Sequence, residues 1–245
     1  MLHKTTGIVL HSTRYNDKTS FVHIFTKEFG NATYAITPGS SKKSGRKAAL
    51  FQPLSILELE VEHKSNREIH RIKESKIAYP LKSIHSNPIK ISISFFLAEF
   101  IHHTIREKSP NEPLFEFILQ SIQLMDIATK GIANFHLVFL LKLTRFLGFY
   151  PNLERKTGNH TAFYFDMLNG TLATSLPPHK HYLQGKSAEV FILLMRMNYQ
   201  NMHAFSFSGK ERSDIIQKVI EYYRLHLSNF LMPKSFEILQ TLFSE

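Results

Sequence analysis

Four basic side chains stand close together in the N-terminal third of the chain: Lys42, Lys43, Arg46 and Lys47. No Asp or Glu occurs between residues 29 and 57, so no acidic neighbour in the sequence neutralises this charge. Glycine, proline and serine account for the other positions of residues 38–47, a composition typical of a loop. A basic loop without carboxylates suits contact with phosphate groups. We call residues 38–47 the basic segment and predict that it binds a polyanion; the alternative is a charge run that is only solvated.

The glycines of the basic segment invite comparison with the phosphate-binding loop of nucleotide-hydrolysing enzymes. That loop places four residues between two glycines and continues with Lys and then Ser or Thr, so that backbone amides and the lysine converge on the nucleotide. Here five residues separate Gly39 from Gly45, and Arg46-Lys47-Ala48 follows. The spacing therefore argues against a nucleotide site.

Single-stranded nucleic acid is bound by cations that contact phosphates and by aromatic rings that stack on bases. Arg14, Tyr15 and Lys18 form a polar turn upstream of the basic segment, and Tyr34 lies on a candidate strand. Because phenylalanine in a small barrel is mostly core, the two tyrosines are the better candidates for exposed stacking. We therefore predict a nucleic-acid site of eight residues: Arg14, Tyr15, Lys18, Tyr34, Lys42, Lys43, Arg46 and Lys47.

Patterns of catalytic residues are missing from the sequence. It has neither two histidines around a glutamate at zinc-protease spacing nor the paired carboxylates typical of nuclease metal sites. One looser group of potential metal ligands lies within residues 152–185: His160, Asp166, His179 and His181. Such side chains are more often solvated than metal-bound, so we predict no metal, no cofactor, no catalytic residue and no enzyme. A metal-dependent hydrolase, which would need these side chains to bind a metal ion, is the alternative.

The net charge of +10 and the pI near 9.7 also indicate a polyanionic partner. Residues 1–80 hold 13 of the 30 Lys and Arg but only 7 of the 20 Asp and Glu, so the excess charge is concentrated there. The absence of cysteine excludes disulfides and thiolate metal sites. Because neither a signal peptide nor a long apolar run is visible, we expect a soluble protein of the cytoplasm.

Residues 1–80 are predicted to form the small β-domain that positions these side chains. Short apolar runs bounded by turn residues indicate five strands, at residues 6–10, 21–26, 32–36, 54–61 and 69–77. In the fourth, Leu57, Leu59 and Val61 alternate with glutamates, which is the period of a half-buried strand. Leu54 and Ile56 fall in the opposite phase, which predicts a bulge near Ile56. Five strands of this length fit the five-stranded barrel of the OB-fold.

Residues 81–245 are predicted to form one mostly α-helical domain. Apolar residues recur at helical spacing around residues 96–105 and 115–125, and residues 132–149 are apolar on nearly all sides. Helical spacing returns at residues 190–197, with Ser187 as the predicted N-cap, and at residues 215–231, which Pro233 is predicted to end. Residues 152–185 are predicted to be a small irregular insert. The predicted fold class is therefore α+β and multidomain: a five-stranded OB-fold barrel followed by a helical domain.

Several motifs resemble the RecO family of bacterial recombination mediators. In the first domain they are Thr6-Gly7-Ile8-Val9-Leu10, Arg14-Tyr15-Asn16-Asp17-Lys18, Phe25-Thr26-Lys27-Glu28-Phe29-Gly30, the basic segment after Gly39, and Gln52-Pro53-Leu54 with Leu57-Glu58-Leu59. The similarity continues through Phe96-Leu97-Ala98-Glu99-Phe100 and through Leu141 to Leu147 with Gly148-Phe149-Tyr150-Pro151. It covers essentially the whole chain, and its most specific part is the first 60 residues.

The resemblance implies a role in homologous-recombination repair without enzymatic turnover. Proteins of this family bind single- and double-stranded DNA, anneal complementary strands, engage the tail of single-stranded-DNA-binding protein, and work with RecR to load RecA. That tail is acidic and ends in an aromatic residue, so its dock needs a cation beside an apolar groove, for which we name Arg106, Lys142 and Arg145.

This chain departs from the family pattern in one place. Some members bind zinc through four cysteines in an insert that would align with residues 152–185, and this chain has no cysteine. We therefore expect no zinc. An RNA-binding module built on the same barrel is the alternative to a DNA-repair role.

Overall fold

The computed structural model describes residues 2–16, 19–36, 49–64, 66–153 and 164–244, with side chains up to residue 241. By its internal contacts the chain divides into two compact units. Unit 1 is Met1–Ile127 with Pro233–Leu239, and unit 2 is Ala128–Met232 with Gln240–Glu245. Six residues singled out from the sequence lie outside the described ranges: Lys18, Lys42, Lys43, Arg46, Lys47 and His160.

A closed five-stranded barrel forms the first part of unit 1. Its strands are β1 (Leu2–Asn16), β2 (Thr19–Thr26), β3 (Gly30–Ile36), β4 (Ile56–Glu62) and β5 (Ile69–Tyr79), in the order β1-β2-β3-β5-β4. Neighbouring strands are antiparallel except β3 and β5, which run parallel. The prediction of a five-stranded OB-like barrel is confirmed.

The barrel interior is filled by side chains that alternate with outward-facing ones along each strand. The buried interior includes Val9, Val22, Ile24, Ala32, Tyr34, Phe51, Leu57, Leu59 and Val61. The predicted bulge is also confirmed, since the pairing of β4 with β5 shifts register between Ile56 and Leu57. Because of this shift, the consecutive side chains of Ile56 and Leu57 are both buried and almost inaccessible to solvent.

Two helices follow the barrel in unit 1: α1 (Pro88–Thr104) and α2 (Glu112–Ile127). Asn87 caps α1 by accepting a hydrogen bond from the Lys90 N–H, and Pro88 occupies the first turn, where a missing N–H costs nothing. The helices cover part of the outer face of the barrel. Phe115 of α2 lies 5.8 Å from Phe25 of β2, between ring centroids.

Asp126, near the end of α2, holds the segment that leaves the barrel. Its carboxylate accepts hydrogen bonds from the backbone N–H groups of Lys82, Ser83 and Ile84, at 2.9, 2.8 and 3.0 Å. The buried Lys90 ammonium donates to the Ser83 hydroxyl and to the Asp126 carbonyl. Burial alone would raise the pKa of Asp126, but the three N–H donors hold it below its ordinary value. The Asp126 carboxylate therefore joins the segment after β5 to α2, and the Lys90 ammonium joins both to α1.

Unit 2 contains the helices α3 (Phe135–Phe146), α4 (Gly185–Arg196) and α5 (Gly209–His226), with short 3-10 helices at Ile132–Asn134 and Met202–Ala204. As predicted, α3 is buried on nearly all sides. The Tyr223 hydroxyl of α5 donates to the Leu140 carbonyl, which fixes α5 against α3. The last helix of the chain is α6 (Ser235–Ser244). None of the described helices is long and apolar enough to cross a membrane.

The insert of unit 2 is more regular than predicted. It contains a small antiparallel sheet of β6 (Tyr164–Asp166), β7 (Thr171–Ala173) and β8 (Tyr182–Gln184), in the order β7-β6-β8. Strands of three residues have too few positions for alternation to be visible in the sequence.

Two predicted helix boundaries in unit 2 are wrong. The first turn of α4 begins at Gly185 after Gln184, so Ser187 lies inside the helix and is not its N-cap. The next helix, α5, ends at His226, well before Pro233, and it begins at a capping box between Ser208 and Glu211. Apolar residues recur at helical spacing beyond His226, which favoured a longer helix, but the helix does not continue there.

Glu99 of α1 fixes the chain where it returns to unit 1. Its carboxylate accepts hydrogen bonds from the backbone N–H groups of Lys234 and Ser235 and from the Ser235 hydroxyl. It thereby caps the N-terminus of α6 from another helix. Burial would raise the pKa of Glu99, but these hydrogen bonds lower it. This contact gives a structural role to the glutamate of the Phe96-Leu97-Ala98-Glu99-Phe100 motif.

Candidate nucleic-acid interface

The first two strands form a hairpin, and its β1 strand, which continues beyond its pairing with β4, carries two predicted site residues. β1 is 15 residues long, and its pairing with β4 covers only Leu2 to Ile8. From His11 to Asn16 it pairs with β2. Arg14 and Tyr15 therefore lie near the end of this hairpin, and both side chains are exposed.

Tyr15 presents an aromatic face to solvent. Its side chain is 69 % exposed, and its ring centroid lies 5.1 Å from that of Phe21 on β2. Phe21 is half-buried on the outer face, where the sequence had not separated it from the core phenylalanines. A ring held by a neighbouring ring has less freedom to lose when a base stacks on it. We call Tyr15 and Phe21 the ring pair.

Tyr34 does not belong to this surface, and the prediction that it is an exposed stacking ring is wrong. It is 0 % exposed and lies in the barrel interior opposite Val22 of β2 and His70 of β5. Its parity along β3 is that of the core residue Ala32, so the strand turns it inward. Burial raises the pKa of its phenol far above the ordinary value.

A row of paired residues crosses four strands on the outer face. Thr13, Phe21, Ala35 and Arg71 are successive partners on β1, β2, β3 and β5. Arg71 is exposed because its neighbours on β5 face the interior. The row thus has a guanidinium at its β5 end, while Arg14 follows Thr13 on β1 and pairs with Ser20 in the adjacent row. Arg71 was missed from the sequence because the start of β5 does not alternate between polar and apolar residues: the apolar Ile69 is exposed like Arg71, and the polar His70 between them is buried.

The last described residue of β3 lies at the same end of the barrel as the ring pair. β3 ends at Ile36, which pairs with Ser20 of β2, and Ser20 pairs with Arg14 of β1. The chain therefore leaves the described part of β3 beside the residues of the hairpin. The four cations of the segment lie outside the described residues, and their role stays a prediction.

The three residues predicted to bind a partner's tail are distributed over both units. Arg106 lies in unit 1 after α1 and is exposed. On α3 of unit 2, the Arg145 guanidinium lies 4.1 Å from the centroid of the Tyr150 ring, and the Lys142 ammonium lies 5.3 Å from that of Tyr199. Burial, and then the charge of Arg145, lower the pKa of Lys142. Cations held over rings provide the mixed character that an acidic tail with an aromatic end requires.

Two of the potential metal ligands, Asp166 and His179, lie close together in unit 2. His179 Nε2 lies 3.3 Å from Asp166 Oδ1. The Asp166 carboxylate also accepts hydrogen bonds from the backbone N–H groups of Leu168 and Asn169, so it orders the turn after β6. The described part of the chain contains no group of three or more His, Asp or Glu that could hold a metal ion.

Comparison with known proteins gives consistent matches along the chain. The family model described as Recombination protein O N terminal matches residues 1–81, and the one described as Recombination protein O C terminal matches residues 85–234. The chain is 46 % identical over 243 residues to the DNA repair protein RecO of Azobacteroides pseudotrichonymphae, covering 99 % of this chain and 100 % of the relative. It is 45 % identical to that of Bacteroides fragilis, covering 99 % and 100 %, and 37 % identical to that of Flavobacterium psychrophilum, covering 98 % and 99 %.

Proposed function

The chain belongs to the RecO family of DNA repair proteins, and from this membership we propose that it is a non-catalytic mediator of homologous recombination. In this proposal it binds single- and double-stranded DNA and anneals complementary strands. Together with RecR it helps to load RecA onto DNA coated by single-stranded-DNA-binding protein. It acts in the cytoplasm at the nucleoid and needs no cofactor.

The observation that best supports DNA binding is the ring pair, in which Tyr15 is exposed and Phe21 belongs to a row that ends in Arg71 on β5, with Arg14 next to this row on β1. Rings that stack on bases and cations that contact phosphates are the two components of a single-strand site. The basic segment, which follows β3 in the sequence, would add four further charges.

Annealing follows from this surface without any bond chemistry. Two DNA strands repel each other until their phosphates are screened, and a basic surface that holds both strands supplies that screening. Stacking on Tyr15 is tolerant of sequence because every base has an aromatic face. Bases held in this way stay free to exchange partners until complementary strands pair.

The acidic tail of single-stranded-DNA-binding protein would bind at the cations of the helical region. Lys142 and Arg145 stand on one helix beside the rings of Tyr199 and Tyr150, so an aromatic end group and an acidic group of the tail would both find contacts there. Arg106 is the candidate in unit 1.

The proposed function is tested by strand annealing with naked and with protein-coated complementary strands. We expect the chain to accelerate both reactions and Arg145→Ala to slow only the reaction of coated strands. No acceleration of naked strands would overturn the annealing role, and acceleration of naked strands alone would overturn the partner role. Equal competition by an RNA oligonucleotide of the same sequence would favour the RNA-binding alternative.

Replacement of Tyr15 by alanine tests the stacking contact. We expect Tyr15→Ala to weaken binding of a single-stranded oligonucleotide by about 1–3 kcal/mol, because one base loses its aromatic partner. Duplex binding should change little, since paired bases offer no free face. Fluorescence anisotropy with matched single- and double-stranded oligonucleotides measures both affinities.

The matched control is Tyr15→Phe, which keeps the ring and removes only the hydroxyl. This variant should bind single strands like the unmodified chain. Equal losses on single and double strands in Tyr15→Ala, or an equal loss in Tyr15→Phe, would exclude stacking as the role of Tyr15.

A further inference from the structure

Four imidazole rings meet where the end of α1 lies on the barrel. His11 of β1 and His23 of β2 are register partners, and His102 and His103 come from the last turn of α1. The ring centroids of His23 and His102 are 4.5 Å apart, and those of His11 and His102 are 5.5 Å apart with nearly parallel planes. His11 and His23 are separated by 6.0 Å, and His102 and His103 by 5.8 Å.

This packing suits neutral rings and disfavours protonated ones. Two imidazolium ions at these distances in a half-buried site repel each other and lose hydration. The dipole of α1 favours a cation in its last turn, but burial and the neighbouring rings outweigh it. Burial, followed by the charges of His23, His11 and His103, lowers the pKa of His102 to about 4. Burial and then His11 also lower the pKa of His23.

The other groups around the cluster do not offset this effect. The Thr33 hydroxyl of β3 lies 3.1 Å from His23 Nδ1 and carries no charge that would stabilise a protonated ring. Glu99, one turn earlier in α1, is the carboxylate that favours protonation of His102. Its oxygen atoms already accept hydrogen bonds from Lys234 and Ser235.

We propose that the packing of His102 against His11 and His23 forms an acid-sensitive latch, which holds the end of α1 on the β1–β2 hairpin at neutral pH and releases it when His102 and His23 bind protons. Separation of the last turn of α1 from the strands relieves both the repulsion and the loss of hydration. Release uncovers the half-buried His23, which lies two residues from Phe21 along β2. The latch lies within unit 1 and does not depend on the proposed DNA-binding function.

The lowered pKa of His102 determines the pH range in which the latch opens. The pKa of His102 in the folded protein lies below the ordinary value of 6.5. The contact is therefore fully stable above pH 6.5 and weakens as the pH falls towards 4. At pH 5.0 the opening equilibrium should be about 30-fold more favourable than at pH 7.5, if opening returns His102 to its ordinary pKa.

The latch is tested by hydrogen exchange of the full chain at pH 7.5 and 5.0, with intrinsic exchange rates corrected for pH. In the unmodified protein we expect protection of peptides covering residues 100–106 to fall by about 30-fold at pH 5.0. The double variant His23→Gln/His102→Gln removes the two half-buried titrating rings. Its protection at residues 100–106 should fall by no more than about threefold between pH 7.5 and 5.0. His203→Gln, which removes an exposed histidine of unit 2, should behave like the unmodified protein.

An equal pH effect in the unmodified protein and the double variant would overturn the proposal. Unchanged protection of the unmodified protein at pH 5.0 would also overturn it. If the double variant does not fold, the exchange pattern of the unmodified protein decides. Loss of protection confined to residues 100–106 and to β1 and β2 supports the latch, whereas uniform loss across both units contradicts it.

Discussion

Replacing Lys42, Lys43, Arg46 and Lys47 together by alanine is expected to weaken binding of single-stranded DNA on the order of 100-fold at 0.1 M salt. Each cation that neutralises a phosphate contributes about −0.7 to the slope of log affinity against log salt concentration, so four contribute about −3. The loss should be similar for all base sequences, because phosphate contacts carry no sequence information. Titration of an oligonucleotide at several salt concentrations gives both the affinity and the slope.

The salt dependence makes this prediction specific. Over a fourfold rise in salt, the unmodified chain should lose about 50-fold more affinity than the variant. An unchanged slope would place the phosphate contacts elsewhere, with Arg14, Lys18 and the cations of the helical region as the candidates.

A control variant can remove the same number of lysines and arginines from another part of the chain. Lys130, Lys180, Lys210 and Arg224 are exposed residues of unit 2, and their replacement by alanine also removes three lysines and one arginine. This control should keep most of the slope if the basic segment makes the contacts. Equal effects of the two variants would show that binding follows the net charge of the chain and not the position of the segment.

The barrel was predictable because its signals are local. Leu57, Leu59 and Val61 alternate with glutamates, and the break in that alternation marks the bulge at Ile56. Each strand is bounded by residues that favour turns. The order of the strands and the parallel pairing of β3 with β5 depend on contacts between strands, and neither was predicted from the sequence.

The ring residues of the candidate site show where local signals fail. Tyr34 was preferred over the phenylalanines as an exposed ring, yet its parity along β3 turns it into the core. Phe21 was grouped with the core because phenylalanine is apolar, yet it supports Tyr15 on the outer face. The type of a residue indicates only whether such side chains are buried on average. The pairing of β2 with β1 and β3 determines whether a given side chain lies on the inner or the outer face of the barrel.

Contacts between distant parts of the chain left no pattern in the sequence. His23 and His102 meet although they belong to a strand and a helix far apart in sequence. Asp126 likewise binds the backbone of residues 82–84, and backbone N–H groups cannot be recognised from side-chain spacing. Such contacts become visible only when the packing of the helices on the barrel is known.

Asp126→Ala is expected to lower the free energy of unfolding by about 3–5 kcal/mol, a large part of the stability of an ordinary domain. The substitution leaves three backbone N–H groups without their acceptor and Lys90 without its nearest compensating charge. Because the pKa of Asp126 is lowered in the folded protein, its contribution is present above pH 3.8 and is lost as the pH falls further. Urea unfolding followed by circular dichroism measures the change.

Two further variants separate the charge of Asp126 from its hydrogen bonds. Asp126→Asn keeps an oxygen acceptor and should cost about 1–2 kcal/mol, since the hydrogen bonds remain but are no longer charge-assisted. Lys90→Met removes the buried cation, so combining it with Asp126→Ala should cost less than the sum of the two single changes. Asp214→Ala, at an exposed position of α5, should change the stability by less than about 0.5 kcal/mol. An effect of Asp126→Ala as small as that of Asp214→Ala would contradict this role of the carboxylate. The segment after β5 would then be held by the apolar packing of α1 and α2, and the hydrogen bonds of Asp126 would add little to its stability.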